Sequence, residues 1–262
     1  MVVGLDRLKS YFEKHQDKYI IIGGTACEIR LESRGINFRG TKDIDMLLII
    51  EALDNDFLES FWSFIRDGEY INRYIDEKER TFFRFTNPQA EDYPTIVELF
   101  SRKPDGIILP PDFHLTPIPT DEEFSSLSAM LMDDNYYNFT LENCDVKEGL
   151  MIANELALIC LKVKAFLNNR QRKAEGHHLQ TNDIEKHKKD VIKLATTLTT
   201  ATLINFNDLI KGDIVKFIAV LREEQTNIKG IAKDAGLGNI TLEDILRQME
   251  LVFEIIPQHT VS

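Results

Sequence analysis

Two aspartates one residue apart, Asp43 and Asp45, open the apolar run 43–50. Strand side chains alternate faces, so both carboxylates would point one way while Ile44 points into a core. Two carboxylates that close repel each other unless a cation lies between them. Mg2+ (or Mn2+) suits the pair, being a hard ion that takes oxygen ligands, commonly one or two carboxylates plus substrate phosphates. Two such metals about 4 Å apart could activate an attacking oxygen and stabilise a leaving one. A third carboxylate would come from another strand, and Glu98, a lone charge inside the apolar stretch 95–100, is the residue placed for it.

Upstream, the apolar run 19–22 ends in Gly23-Gly24-Thr25. Glycines let a backbone approach phosphates closely, and the start of the following helix favours anions. The Thr25 hydroxyl could donate to a phosphate oxygen, and Arg39 and Lys42 could offset triphosphate charge. The expected site therefore holds a nucleoside triphosphate (ATP or another NTP) on Gly23, Gly24, Thr25, Arg39 and Lys42. Its metal would sit on Asp43, Asp45 and Glu98. Each element alone has a plainer reading: a packing Gly-Gly, a solvated strand end, an edge-strand charge facing water. It is their order along the chain that favours the site.

These residues need a strand, a tight turn, a helix, a loop and a second strand to position them, and the pattern from 19 to 50 supplies that order. A short amphipathic helix is expected at 5–15, with Leu5, Leu8, Tyr11 and Phe12 at helical spacing. Further on, 55–65 reads as an amphipathic helix, and 81–86 with 95–101 as a hairpin turned by Asn87-Pro88. Prolines punctuate 104–119 as an irregular crossing. The segments 127–132 and 136–141 read as a second hairpin. From Gly149 the character changes: 150–167 is apolar almost all round, a buried helix. Helical patterns follow at 184–198, 206–221, 228–235 and 242–256, with Thr241 and Asp244 spaced as a helix start. The chain thus reads as α/β (α+β) with a mixed sheet over 1–145, then an all-helical region over 146–262.

At 262 residues, with 43% hydrophobic and 28% charged content, the chain can bury a real core. It contains no apolar run of the roughly 18 residues a membrane span needs, and its first residues lack the apolar segment of a signal peptide. Three scattered cysteines do not make a disulfide framework, which points to a reducing, cytoplasmic setting. A net charge of −12 argues against a wholly nucleic-acid-coated surface. Residues 162–193 nevertheless carry a local balance of +5 on a remainder of −17, either a phosphate-binding face or an ordinary solvated helix face. His177, His178 and His187 read as a polar loop sooner than as a zinc site. No Walker-type phosphate loop occurs.

The stretch Ile22-Gly23-Gly24-Thr25 with Thr41-Lys42-Asp43-Ile44-Asp45-Met46 resembles the signature of the DNA polymerase β-like nucleotidyltransferases. More narrowly, it resembles the AbiEii-type toxin nucleotidyltransferases of abortive-infection, or type IV toxin–antitoxin, systems. In the second half, Lys162-Val163-Lys164-Ala165-Phe166, Arg170 and Lys189-Asp190-Val191 are similar to that group's lysine-rich helix, arginine and basic-acidic pair. The interval from Thr25 to Asp43 is longer than the pattern, and 177–182 lengthens the approach to Asp190.

The resemblance implies a polymerase β-like core in 1–145 and a helical domain in 146–262 that completes the cleft. Asp43, Asp45, Glu98 and Lys162 would be catalytic, and Asp190 would be a nucleotide-side residue. It further implies transfer of an NMP from an NTP to an acceptor hydroxyl on RNA such as a tRNA end, a protein or a small molecule. Pyrophosphate would leave, and an antitoxin protein could be a partner. A kinase on the same fold moving the γ-phosphate, and a non-catalytic nucleotide-binding module, are the alternatives.

Overall fold

The structure, a computed structural model, describes residues 3–75, 82–101, 116–117, 133–199 and 206–255. Two compact units emerge: residues 1–29 with 39–154, and residues 30–38 with 155–262. The division at 154/155 falls later than the expected 145/146, because 144–153 forms a hairpin that belongs to the sheet.

The first unit is built on a mixed sheet. In chain order its elements are α1 (Leu5–Phe12), β1 (Tyr19–Ile22), α2 (Gly23–Glu32), β2 (Asp43–Leu48), α3 (Asn55–Asp67), β3 (Asn72–Ile75), β4 (Phe82–Thr86), β5 (Ile96–Ser101), β6 (Thr116–Pro117), α4 (Asp134–Glu142), β7 (Cys144–Lys147) and β8 (Leu150–Ala153). Among the described residues the strand order is β6-β3-β4-β5-β2-β1-β8-β7. The strands β1 and β2 run antiparallel, β2 and β5 parallel, β4 and β5 antiparallel. The central strands are apolar on both faces: β1 is buried throughout, and in β2 only Asp43 and Asp45 escape full burial, as covered strands require.

The helix α3 starts where Asp54 accepts a hydrogen bond from the Phe57 N–H at 2.9 Å, one of the orphan donors a helix start leaves. Its apolar face packs an aromatic cluster in which Phe12 meets Tyr19, Phe57, Phe61 and Phe64 at ring-centroid distances of 5.5–6.2 Å. That spacing is the usual range for edge-on and offset pairs.

The second unit is helical: α5 (Glu155–Ala174), α6 (Thr181–Ala195), α7 (Asp208–Glu223), α8 (Lys229–Ala235) and α9 (Leu242–Val252). The Thr241–Asp244 capping box expected from the sequence opens α9. Residues 30–38 belong here. The Asn37 N–H donates to the Ala235 carbonyl at 3.0 Å, Lys193 Nζ donates to the Asn37 carbonyl at 3.0 Å, and Arg34 pairs with Glu155 at 2.9 Å.

Two expectations are corrected. The stretch 136–141 lies inside α4, not in a hairpin, because Asp133 accepts from the Asn135 N–H and starts a helix whose buried side is Tyr136, Tyr137, Phe139 and Thr140; 127–132 falls outside the described residues. The stretch 150–153 is the strand β8 and not the start of a helix. Glu148 and Gly149, both at positive φ, turn the hairpin, and β8 pairs with β1. An all-apolar run does not distinguish a buried strand from a buried helix by periodicity.

Candidate active site

The sheet register builds the site. Asp45 on β2 is the partner of Glu98 on β5, and Glu98 is in turn the partner of Arg84 on β4. Direct partners share a face of the sheet, so a row of charged side chains runs across three adjacent strands. Arg84 Nε lies 2.9 Å from Glu98 Oε1, with the Glu98 side chain 5% exposed and that of Arg84 19%. Burial first, then the charge of Asp45, holds the Glu98 carboxyl well above the usual carboxylate range. Arg84 pulls it the other way, while a hydrogen bond with Asp45 and the charge of Asp43 add to the rise. Asp43, two residues before Asp45, is exposed where β2 begins.

The Gly-Gly turn is fitted to this row. Gly23 has φ of 71°, the left-handed region that side chains other than glycine's rarely adopt. A Cβ there would fall 1.6 Å from Asp45 Oδ2, so the absent side chain is what makes room for the carboxylate. At Gly24 a Cβ would stand 2.7 Å from Thr41 Cγ2 and 3.8 Å from a terminal nitrogen of Arg39, which places the Arg39 guanidinium beside the turn. Lys42 is exposed just ahead of β2.

Thr25 has a different task from the phosphate donor the sequence suggested. It is fully buried, and its hydroxyl donates to the Asp43 carbonyl at 2.6 Å. The Thr41 hydroxyl donates to Glu28 Oε2 at 2.9 Å, and the Thr41 N–H donates to the same oxygen at 3.1 Å. Each hydroxyl has one proton, so both protons are committed to holding the loop and the start of β2. Phosphate contacts from the turn would fall instead to the free N–H groups that any helix start carries.

In the helical unit Lys162 on α5 and Asp190 on α6 meet at 2.9 Å, both buried. Asp190 thus pairs with Lys162; of the two lysines on its own helix that could have paired with it, Lys193 donates to the Asn37 carbonyl and Lys186 lies 3.9 Å from Asp183. Much of the basic segment 162–193 is paired within this unit as well: Lys164 with Asp213 at 2.8 Å, Lys188 with Glu185 and Glu224 at 2.8 and 3.0 Å, and Arg170 with Glu224. Acidic residues of α7 and its C-terminal end thus pair with Lys164, Arg170 and Lys188, three members of what looked in sequence like a basic face.

The sequence reading missed two residues, Arg84 and Glu28. Arg84 had a visible signal, a single charge in an apolar strand predicted to pair with the strand of Glu98. Glu28 had none, because its partner Thr41 lies across a loop.

The donor set suits a hard divalent cation through the Asp45–Glu98 pair. Both groups are oxygen donors, and the part of the rise in Glu98 that comes, after burial, from the charge of Asp45 is one a cation would relieve. Among the described residues no group of three or more His, Cys, Asp or Glu side chains stands ready to hold a metal. Water and substrate phosphates would have to complete the coordination, as they ordinarily do for magnesium.

No known family profile matches the chain, and no curated protein matches it. The chain is similar in structure to a Megavirus polyadenylate synthase. That likeness has a TM-score of 0.32 and 8% sequence identity, and covers 85% of this chain. It covers 44% of the Megavirus protein, so the chain spans less than half of that protein's length. At this distance neither fold nor activity carries over. Among the described residues no helix is long and apolar enough to cross a membrane.

Proposed function

We propose that this chain is a metal-dependent nucleotidyltransferase that moves an NMP from an NTP to an acceptor hydroxyl and releases pyrophosphate. The observation that carries the reading is the in-register pair of Asp45 and Glu98 beside a glycine turn whose missing Cβ accommodates Asp45. Asp45 and Glu98, with Asp43 at the mouth of the strand, would hold Mg2+ or Mn2+. The ion would supply positive charge to the phosphates and lower the pKa of an acceptor hydroxyl. The turn at Gly23 and Gly24 offers backbone N–H groups to phosphate oxygens, with the Arg39 guanidinium alongside. Glu98, the third carboxylate of the set, is the group placed to help activate the acceptor hydroxyl.

NTP labelled at either the α or the γ phosphate tests the reaction class. Label at α should pass to the acceptor while label at γ leaves as pyrophosphate, and both should stop in Asp45→Asn. Transfer of the γ label alone makes the chain a kinase. Absence of metal-dependent NTP binding by the wild type in calorimetry would reduce it to a non-catalytic module or less. The narrower extension takes the acceptor to be RNA such as a tRNA end, and an antitoxin protein to restrain a toxic enzyme. It rests on the sequence motifs around Lys162 and Asp190. Incubation with total tRNA and α-labelled NTP tests it, and unlabelled tRNA in the presence of an active enzyme removes that acceptor.

A further inference from the structure

Arg84 is a cation already seated on Glu98, one member of the carboxylate pair. Its guanidinium reaches Glu98 at 2.9 Å from the neighbouring strand, in a register fixed by the ladders that align Arg84, Glu98 and Asp45. A bare divalent ion approaching these carboxylates adds two positive charges beside that guanidinium and must share Glu98 with it. A metal–triphosphate complex carries net negative charge and meets no such opposition.

We propose that Arg84 is the resident counter-ion of the Asp45–Glu98 pair, so that the site takes its divalent cation with the nucleotide and only weakly alone. The inference rests on the reading of Asp45 and Glu98 as metal ligands. It makes Arg84 a positioning and selectivity residue and not a ligand. A second consequence is that Arg84 keeps the two carboxylates together when no nucleotide is present.

The test is binding of Mn2+ alone, followed by loss of the free-ion electron paramagnetic resonance signal, in wild type, Arg84→Met, Arg84→Lys and Asp45→Asn. Folding of each is checked by thermal melting. Arg84→Met should bind bare Mn2+ about tenfold more tightly than wild type or better, the water-screened end of Coulomb's law for a single and a double charge about 5 Å apart. Arg84→Lys, which keeps the charge, should stay near wild type. With ATP present, Arg84→Met should bind Mn2+ no more tightly than wild type does.

Equal or weaker binding of bare Mn2+ by Arg84→Met, or equal tightening by Arg84→Lys, overturns the role of Arg84 while leaving the site reading intact. Arg84→Gln is read in the same way if the methionine variant does not fold. If Asp45→Asn leaves Mn2+ binding with ATP unchanged, or if neither wild type nor Arg84→Met binds Mn2+, the metal-site reading itself fails and the inference with it.

Discussion

Asp45 and Glu98 stand as register partners on two parallel strands, β2 and β5, although a helix and two other strands separate them in the chain. Parallel pairing aligns strands that no tight turn joins, so the pair exists only once the sheet has formed. Glu98 does not have the same chemistry alone. Glu98 is raised by burial and then by Asp45, and both conditions are properties of the assembled sheet.

Gly23→Ala should fail in two ways. The left-handed backbone would cost about 1–2 kcal/mol, and the new methyl group would fall on the Asp45 carboxylate. Urea denaturation should show the stability loss. Calorimetry should show metal-dependent NTP binding lost under conditions where the variant is still folded.

Glu28 should tolerate glutamine and not leucine. Both Thr41 donors converge on the single oxygen Oε2, and a glutamine carbonyl can stand in its place. Glu28→Leu would leave a half-buried N–H and hydroxyl without this acceptor, at about 1 kcal/mol or more. Hydrogen exchange at the Thr41 amide should accelerate in the leucine variant and stay slow in the glutamine variant.

Lys162→Met should destabilise the protein by about 3–5 kcal/mol, because it leaves the Asp190 charge buried without its partner. The double variant Lys162→Met/Asp190→Leu should recover most of that loss. A recovered fold with retained nucleotide transfer would make the pair purely structural. A recovered fold without transfer would support the site role that the sequence resemblance implies.

Glu224 should add an acid-sensitive component to stability. Burial pushes its carboxyl up, but hydrogen bonds from Arg170 and Lys188 outweigh this and hold it below the ordinary value. A carboxyl depressed in the folded state stabilises above its unfolded pKa, and that contribution is lost as pH falls through the folded value. The urea midpoint should therefore drop on acidification below about pH 4, and less steeply in Glu224→Gln. An unchanged slope in that variant would show that solvent screens the cluster.

The sequence made the sheet half of the site legible because its signals are local. Alternation put Asp43 and Asp45 on one face, a lone charge marked Glu98, and a double glycine marked the turn. What stayed hidden depends on contacts distant in sequence. Thr25 looks like any phosphate-binding hydroxyl until the fold brings it to the Asp43 carbonyl, which accepts its hydrogen bond. The charge run from 162 to 193 reads as a basic face until Asp213 and Glu224 arrive from a later helix. The strand 150–153 was hidden for another reason: its apolar residues fit a helix equally well, and only pairing with β1 decides between them.

The segment 30–38 has a consequence for how the protein is made. It leaves the ribosome early, yet its hydrogen bonds are to Lys193 and Ala235 and its ion pair is to Glu155. During synthesis, which otherwise tends to favour folding from the N-terminus, these residues must wait until residues 155 to 235 have followed. The sheet can form in the meantime, since its last strand ends at Ala153. A single cut after residue 154 leaves the first unit whole, with 30–38 attached to it, but no single cut yields the second unit whole. A fragment starting at residue 155 would lack the early strap that its own helices are built to bind.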